Sequence, residues 1–468
     1  MSFPALRAGS ALRAFRSRAS SNSLSSPRRF ASTQSSTPGS SLKVLLYGSA
    51  AAVSAVAGYI YLTDTRSAFH RFIVPPALRA IFPDAEDAHH AGTASMKMLY
   101  SLGLHPRERR RALNDPSEPS LAVQVYDTKL DNPIGISAGL DKDAEVPDAL
   151  FALGAGIVEV GGCTPKPQSG NPKPRVWRVP TIDGLVNCYG LNSRGADAMA
   201  RTLRERLRLY ARSRGLTEED VLSGRAGVPT GSLLPGRLLC VQVAKNKDTD
   251  EKNAASDYAY CASRLAQYAD VIVVNVSSPN TAGLRDLQSG DKLVGLLGAV
   301  VNAVETSTKG IRATPPRVMV KVSPDEDDDA QIKDIVRAVW ESGVDGIIVG
   351  NTTKRKLQSV PTGVPITNRE KSVLMMADGG FSGPSMYGRT LDLVKRYRKW
   401  LDVPSFKDKE RKVIFATGGI TNGKEALEIQ NAGADVAMVY TGMVYGGAGT
   451  VTRIKDEMRK EIKSIKKE

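Results

Sequence analysis

The chain has 468 residues, 41% hydrophobic and 24% charged, which is enough to bury a large core and allows either up to about three domains or one large barrel with additions. The net charge is +15, but Met1–Ser41 holds six arginines and no acid, so much of the excess belongs to an address signal or a surface and nucleic acid is not implied. Cys163, Cys188, Cys240 and Cys261 show no C-x-x-C spacing and no histidine nearby in sequence; this predicts free thiols rather than zinc or an iron–sulfur cluster, and no metal site is expected.

The leader, residues 1–41, is rich in Arg and Ser, the composition of a mitochondrial transit peptide, with Arg29-Phe30-Ala31-Ser32 as the expected cleavage region. A plain basic tail is the alternative. Residues 42–62 then form an apolar run with one charge, Lys43, near its edge, long enough to span a bilayer as a helix, with Tyr59 and Tyr61 suited to the far interface. The basic leader before the span predicts that it stays in the matrix, leaving the body on the intermembrane-space side of the inner membrane. Over residues 66–104, apolar positions such as Phe69, Phe72, Ile73, Leu78, Ile81 and Phe82, then Ala94, Met98, Leu99 and Leu102, recur at helical spacing. Two amphipathic helices split at Pro83-Asp84 are expected, forming a collar that lies on lipid or packs on the body.

From Ala122 onward, apolar runs ending in polar residues alternate with helical patterns. The runs are 133–136, 157–160, 238–243, 271–274, 317–320, 346–349, 413–416 and 436–439; the helices include 143–153, 254–268, 329–341 and 424–432. Eight β–α units predict an α/β fold, a (β/α)8 TIM barrel spanning residues 120–468, with its active site at the C-terminal ends of the strands. A doubly wound sheet is the alternative, but no G-x-G-x-x-G lies between a strand and a helix. Segments 164–237 and 354–411 exceed ordinary loops and must carry extra structure over the mouth.

The most informative strand end is Asn275-Val276-Ser277-Ser278-Pro279-Asn280, continuing through Thr281–Gln288. Two amides here can address a planar ligand and a hydroxyl between them can take a proton in a dry site, although Ser277 or Ser278 also fits a plain helix cap before Pro279. Glycines at Gly418-Gly419 and Gly442, after strands seven and eight, suit a phosphate-bearing cofactor. Lys321, the one charge in Val318–Val322, needs an anionic partner if buried; a reduced flavin or an ordinary ion pair would serve. Lys142 has a similar place after strand one and suits a substrate carboxylate. With Asn187, Asn275, Asn280, Asn351 and Thr352, the pocket suits a small cyclic imide acid.

The runs Ser137–Lys142, Thr164–Pro172, Asn187-Cys188-Tyr189-Gly190-Leu191-Asn192 and the strand-end loop resemble dihydroorotate dehydrogenase, and more narrowly its membrane-bound, quinone-reducing mitochondrial class (class 2). The resemblance covers the chain from about Arg66 and implies FMN as cofactor, dihydroorotate as donor, orotate as product, ubiquinone as acceptor and a role in pyrimidine synthesis. It makes Ser278 the catalytic base, where cytosolic relatives typically have Cys. It implies that Lys142, Asn187, Cys188, Tyr189, Gly190, Leu191, Asn275, Asn280, Asn351 and Thr352 hold the substrate. Ala138, Gly139, Asp141, Gly162, Gln242, Asn275, Lys321, Gly350, Gly383, Gly419, Tyr440 and Thr441 would hold FMN. His89, Arg178 and Tyr440 resemble the quinone-tunnel lining, although His89 also fits a surface histidine beside His90. Gln242 stands where the family typically has Asn, and Gly162 and Gly350 where hydroxyl residues are frequent. A soluble acceptor, fumarate or NAD, is the nearest alternative; the apolar span and collar argue against it.

Overall fold

The computed structural model of the protein describes residues 38–109, 118–280, 288, 290–403 and 410–465. The expected cleavage region and the loop residues Thr281–Leu287 lie outside them. The chain divides into two units, Met1–Val56 and Ala57–Glu468. Helix α1 (Pro38–Thr63) contains the stretch Leu42–Thr63, 22 residues of mean hydropathy 1.5 with none of its most apolar window buried. By length and composition it can cross a bilayer.

The collar has three helices where two were expected: α2 (Phe69–Phe72), α3 (Val74–Ile81) and α4 (Ala85–Ser101). Pro75 and Pro76 fall in the first turn of α3, where an absent N–H costs nothing but a helix running in from α2 cannot continue. The split before α4 falls as predicted: Asp84 caps the helix, accepting from the Glu86 and Asp87 N–H groups at 2.8 and 3.0 Å. Phe72, Ile73, Ile81, Met98 and Leu102 stay exposed on these helices.

All eight predicted strands occur and close into one parallel barrel in chain order: β1 (Ile134–Ile136), β2 (Ile157–Cys163), β3 (Leu238–Val243), β4 (Val271–Asn275), β5 (Arg317–Val322), β6 (Gly346–Val349), β7 (Val413–Thr417) and β8 (Val436–Val439). The two-residue period of a strand divides each run between two cores. Ile157, Cys240, Val273, Met319 and Phe415 fill the barrel interior, which is closed at its base by Val125 and Leu130 of a small hairpin. Val158, Val241, Ile272, Val320 and Ile414 face the surrounding helices. The four cysteines are buried free thiols.

The helix expected over 143–153 is shorter, Pro147–Ala152. The Asp141 carboxylate takes the Glu145 and Val146 N–H groups, each at 2.8 Å, and holds the chain in a turn until Pro147 can start the helix. The two long segments meet each other: Val176–Val179, Gly184–Asn187 and Gly380–Ser382 make one antiparallel sheet, with Asn187 opposite Gly380. This brings Asn187 and Ser382 to the same cavity as the barrel's strand ends.

Candidate active site

Two residues beyond the apolar layer inside the barrel, the same inward-facing positions turn polar: Glu159 follows Ile157, Gln242 follows Cys240, Asn275 follows Val273 and Lys321 follows Met319. The Lys321 ammonium pairs with Glu159 across the interior, at 3.0 and 3.2 Å, with both side chains buried. Gln242 Nε2 donates to Glu159 Oε1 (2.7 Å) and its Oε1 accepts from Asn275 Nδ2 (2.9 Å). The chain of bonds continues through Ser277 Oγ, which donates to Asn275 Oδ1 (2.9 Å) and accepts from Asn351 Nδ2 (2.7 Å). Lys321 thus has the ordinary ion pair as its partner and needs no cofactor anion to offset its burial. Glu159 and Ser277 were not among the predicted site residues. A lone acid in Ile157–Val160 was the available signal for Glu159, of the same kind as the lone lysine in Val318–Val322.

Above this floor, Lys142 Nζ donates to Asn192 Oδ1 (2.7 Å) and sits 3.5 Å from the centroid of the Tyr189 ring. Among the described residues no carboxylate pairs with it. Burial, with the Arg175 charge next in size, pushes its ammonium down to about 7. Asn280 Nδ2 donates to Asn187 Oδ1 (3.3 Å), while Asn280 Oδ1 is buried with no partner among the described residues. A cation short of an anion and an acceptor short of a donor face one cavity, where a ligand with a carboxylate and an N–H would satisfy both. Ser278 Oγ lines the same cavity, only 8% exposed, and accepts from the Asn280 N–H at 3.4 Å.

Of the predicted site residues, Ala138, Gly139, Gly162, Gly190, Leu191, Thr352, Gly383, Gly419, Tyr440 and Thr441 line this cavity too. Asp141, Cys188 and Gly350 do not: Asp141 is spent on the turn described above, and Cys188 is buried with its N–H on the Arg175 carbonyl (2.8 Å). Burial pushes the Asp141 carboxyl up to about 6 against its two N–H donors.

The family model described as dihydroorotate dehydrogenase matches residues 120–462. The mitochondrial dihydroorotate dehydrogenase (quinone) of Lachancea kluyveri is 38% identical over 426 residues, 90% of this chain and 88% of that protein. The Neisseria meningitidis dihydroorotate dehydrogenase (quinone) is 36% identical over 380 residues, 81% of this chain and 97% of that one. The chain belongs to the dihydroorotate dehydrogenase family. Among solved structures, the Eimeria tenella DHODH crystallised with ferulenol superposes with a TM-score of 0.67 at 31% identity, covering 82% of this chain and 93% of that one.

Dihydroorotate dehydrogenases depend on FMN, and the residues present fit it. Gly383, Gly419 and the start of the helix Thr441–Gly446 all line the cavity, so small residues and helix-start N–H groups are available to an anion there. The amides of Gln242 and Asn275 and the ammonium of Lys321 line the same cavity as its polar floor. The three residues expected to depart from the family pattern have these local settings. Gln242 uses its extra methylene to reach Glu159 while keeping Asn275 as a partner. At Gly350, with φ +106°, an added Cβ would strike the Thr417 carbonyl of β7. At Gly162 the space is ordinary and the backbone decides: φ is +101° at an irregularity of β2.

Of the three residues expected at the quinone tunnel of this dihydroorotate dehydrogenase, one lines this cavity. Tyr440 lines the cavity, its hydroxyl pushed up to about 12 by burial. Arg178 donates to the Pro83 carbonyl (2.7 Å) and to those of Phe82 and Asp84 (3.3 Å each), holding the turn between α3 and α4. His89 is half-buried: Nε2 lies 2.9 Å from the Leu140 carbonyl and Nδ1 lies 3.2 Å from the Tyr189 hydroxyl. Burial pushes it down to about 4, so it is neutral at physiological pH.

Proposed function

We propose that this protein oxidises dihydroorotate to orotate, with FMN bound in the barrel mouth and ubiquinone as the final acceptor, in pyrimidine synthesis. The observation that carries the reading is the pairing of an anion-seeking Lys142 and an unsatisfied Asn280 acceptor beside the Ser278 hydroxyl in one cavity. FMN, when bound, accepts the hydride and passes electrons on to the quinone. The chain's own part is to bind and to move one proton. Lys142 takes the substrate carboxylate; Asn187, Asn280, Asn351 and Thr352 hold the ring's amide edges; Ser278 takes the ring proton. A serine is a weak base in water, and its near-complete burial here supports proton transfer in a dry site.

The Lys142 environment sets a pH dependence. With the free ammonium held near 7 and its bound form stabilised by a carboxylate, orotate binding takes up a proton above that point. Orotate affinity is expected to be flat below about pH 7 and to fall about tenfold per unit as pH rises above it. Equilibrium binding from about pH 6 to about pH 8.5 checks this, and a flat profile across the range contradicts it.

The organisation that goes with this function is a transit peptide over 1–41, a membrane span over 42–62, a lipid-surface collar over 66–104 through which quinone enters, and the barrel over 120–468. The mitochondrial relatives and the apolar helix support a mitochondrial membrane anchor; the reading extends this to the inner membrane, with the body on the intermembrane-space side and bilayer lipid as a partner. Deleting Met1–Leu62 is expected to move the protein from the membrane fraction to the soluble one, with dihydroorotate still reducing a short-chain quinone. Turnover with fumarate or NAD but not quinone contradicts the acceptor assignment, and protection of the full-length body from protease in mitoplasts contradicts the orientation.

A further inference from the structure

Helix α4 belongs to the collar, yet two of its residues, Glu86 and His89, one turn apart, reach the substrate side of the barrel mouth. Glu86 is held bidentately by Arg175, Nε to Oε2 at 2.9 Å and Nη2 to Oε1 at 2.7 Å, with side chains only 2% and 8% exposed. Burial pushes the Glu86 carboxyl up, but the hydrogen bonds and charge of Arg175 outweigh it and hold the group down to about 2. The remaining Arg175 nitrogen, Nη1, donates to the Ser169 and Asn171 carbonyls (2.6 and 2.8 Å), and the guanidinium carbon lies 5.2 Å from the Tyr189 ring centroid. That ring carries the Lys142 ammonium at 3.5 Å.

His89 makes the second connection. A neutral imidazole whose Nε2 faces a carbonyl must carry its proton there, so Nδ1 accepts from the Tyr189 hydroxyl. The carbonyl is that of Leu140, two residues before Lys142. Both ring nitrogens therefore have partners within the protein. α4 thus touches the segment bearing Lys142 and the ring beneath its ammonium at once, and the Glu86–Arg175 pair that backs the ring is buried.

We infer that Glu86 and His89 are positioning residues for the substrate: through Arg175 and Tyr189 they latch the collar to the pose of Lys142, so that the collar's state is felt as a change in affinity for the anionic substrate. The inference rests on the dihydroorotate reading above and adds the route by which the membrane-side element acts on it. Linkage makes the effect reciprocal: whatever shifts α4 alters substrate affinity, and bound substrate stabilises the position of α4. The charges facing Lys142 are Arg175, which lowers its proton affinity, and Glu86 and Asp143, which raise it; neutral His89 adds none. Loss of the Glu86 charge therefore also favours the neutral lysine.

The test is orotate binding to purified FMN-loaded enzyme, read by perturbation of the flavin absorbance across pH. Glu86→Gln is expected to raise the orotate Kd about tenfold and to move the pH midpoint of binding downward, with the KM for dihydroorotate rising more than kcat falls. Tyr189→Phe, which removes only the hydroxyl held by His89, is expected to raise the Kd in the same direction, and the double variant to fall short of the product of the two effects. If Glu86→Gln does not retain FMN, Tyr189→Phe alone decides. Wild-type binding with unchanged Kd and midpoint in the variants overturns the latch; wild-type enzyme that does not bind orotate overturns the dihydroorotate reading itself.

Discussion

Ser278→Ala is expected to slow anaerobic bleaching of the bound flavin by dihydroorotate by about 10²–10⁴-fold, the usual worth of a positioned base, while reoxidation of the reduced enzyme by quinone changes little. The hydroxyl lines the substrate cavity, nearly buried, and takes only the weak 3.4 Å bond from the Asn280 N–H. Neighbouring Ser277 is differently placed: its oxygen lies between Asn275 and Asn351 inside the floor network. Removing one hydroxyl from the cavity wall leaves that floor intact, so stopped-flow measurement of the two half-reactions separates chemistry from structure. Equal slowing of both contradicts the role given to Ser278.

Lys321→Met is expected to cost about 3–5 kcal/mol of folding stability, the range for breaking a buried ion pair from one side, and to yield protein that loses FMN on purification. Glu159 is fully buried and also receives the Gln242 amide and the Ala138 N–H (2.7 and 2.9 Å). Those two donors cannot replace the departed ammonium, so the carboxylate is left charged in a place where charge is expensive. Adding Glu159→Gln to Lys321→Met is expected to recover part of the loss, because no unpaired charge is left inside the barrel. Urea unfolding of the single and double variants checks this, and a single variant as stable as wild type contradicts it.

The barrel was legible because its eight strands, Arg317 apart, are buried on both faces and read as apolar runs, each ending where the sequence turns polar. The cavity followed from the same feature, since the C-terminal ends of parallel strands gather at one mouth. What spacing alone does not give is which polar tips touch. Glu159, Gln242, Asn275 and Lys321 come from four successive strands, and their contacts depend on barrel closure. The same holds for the antiparallel sheet over the mouth, whose Gly380–Ser382 strand pairs with Gly184–Asn187 across a long stretch of chain. The collar's extra break was written in Pro75-Pro76 but masked by apolar spacing that runs through it. For Arg178 and His89, which the resemblance places at a quinone tunnel, spacing likewise gives no hint of the contacts made, the first with the α3–α4 turn and the second with Tyr189 and Leu140.

The most direct test of the whole account is an anaerobic titration of the purified, FMN-loaded protein with dihydroorotate, watching the visible flavin band. The account predicts that the band is lost at one equivalent of donor per flavin and returns when a short-chain quinone is added. A band that dihydroorotate leaves unchanged would contradict it.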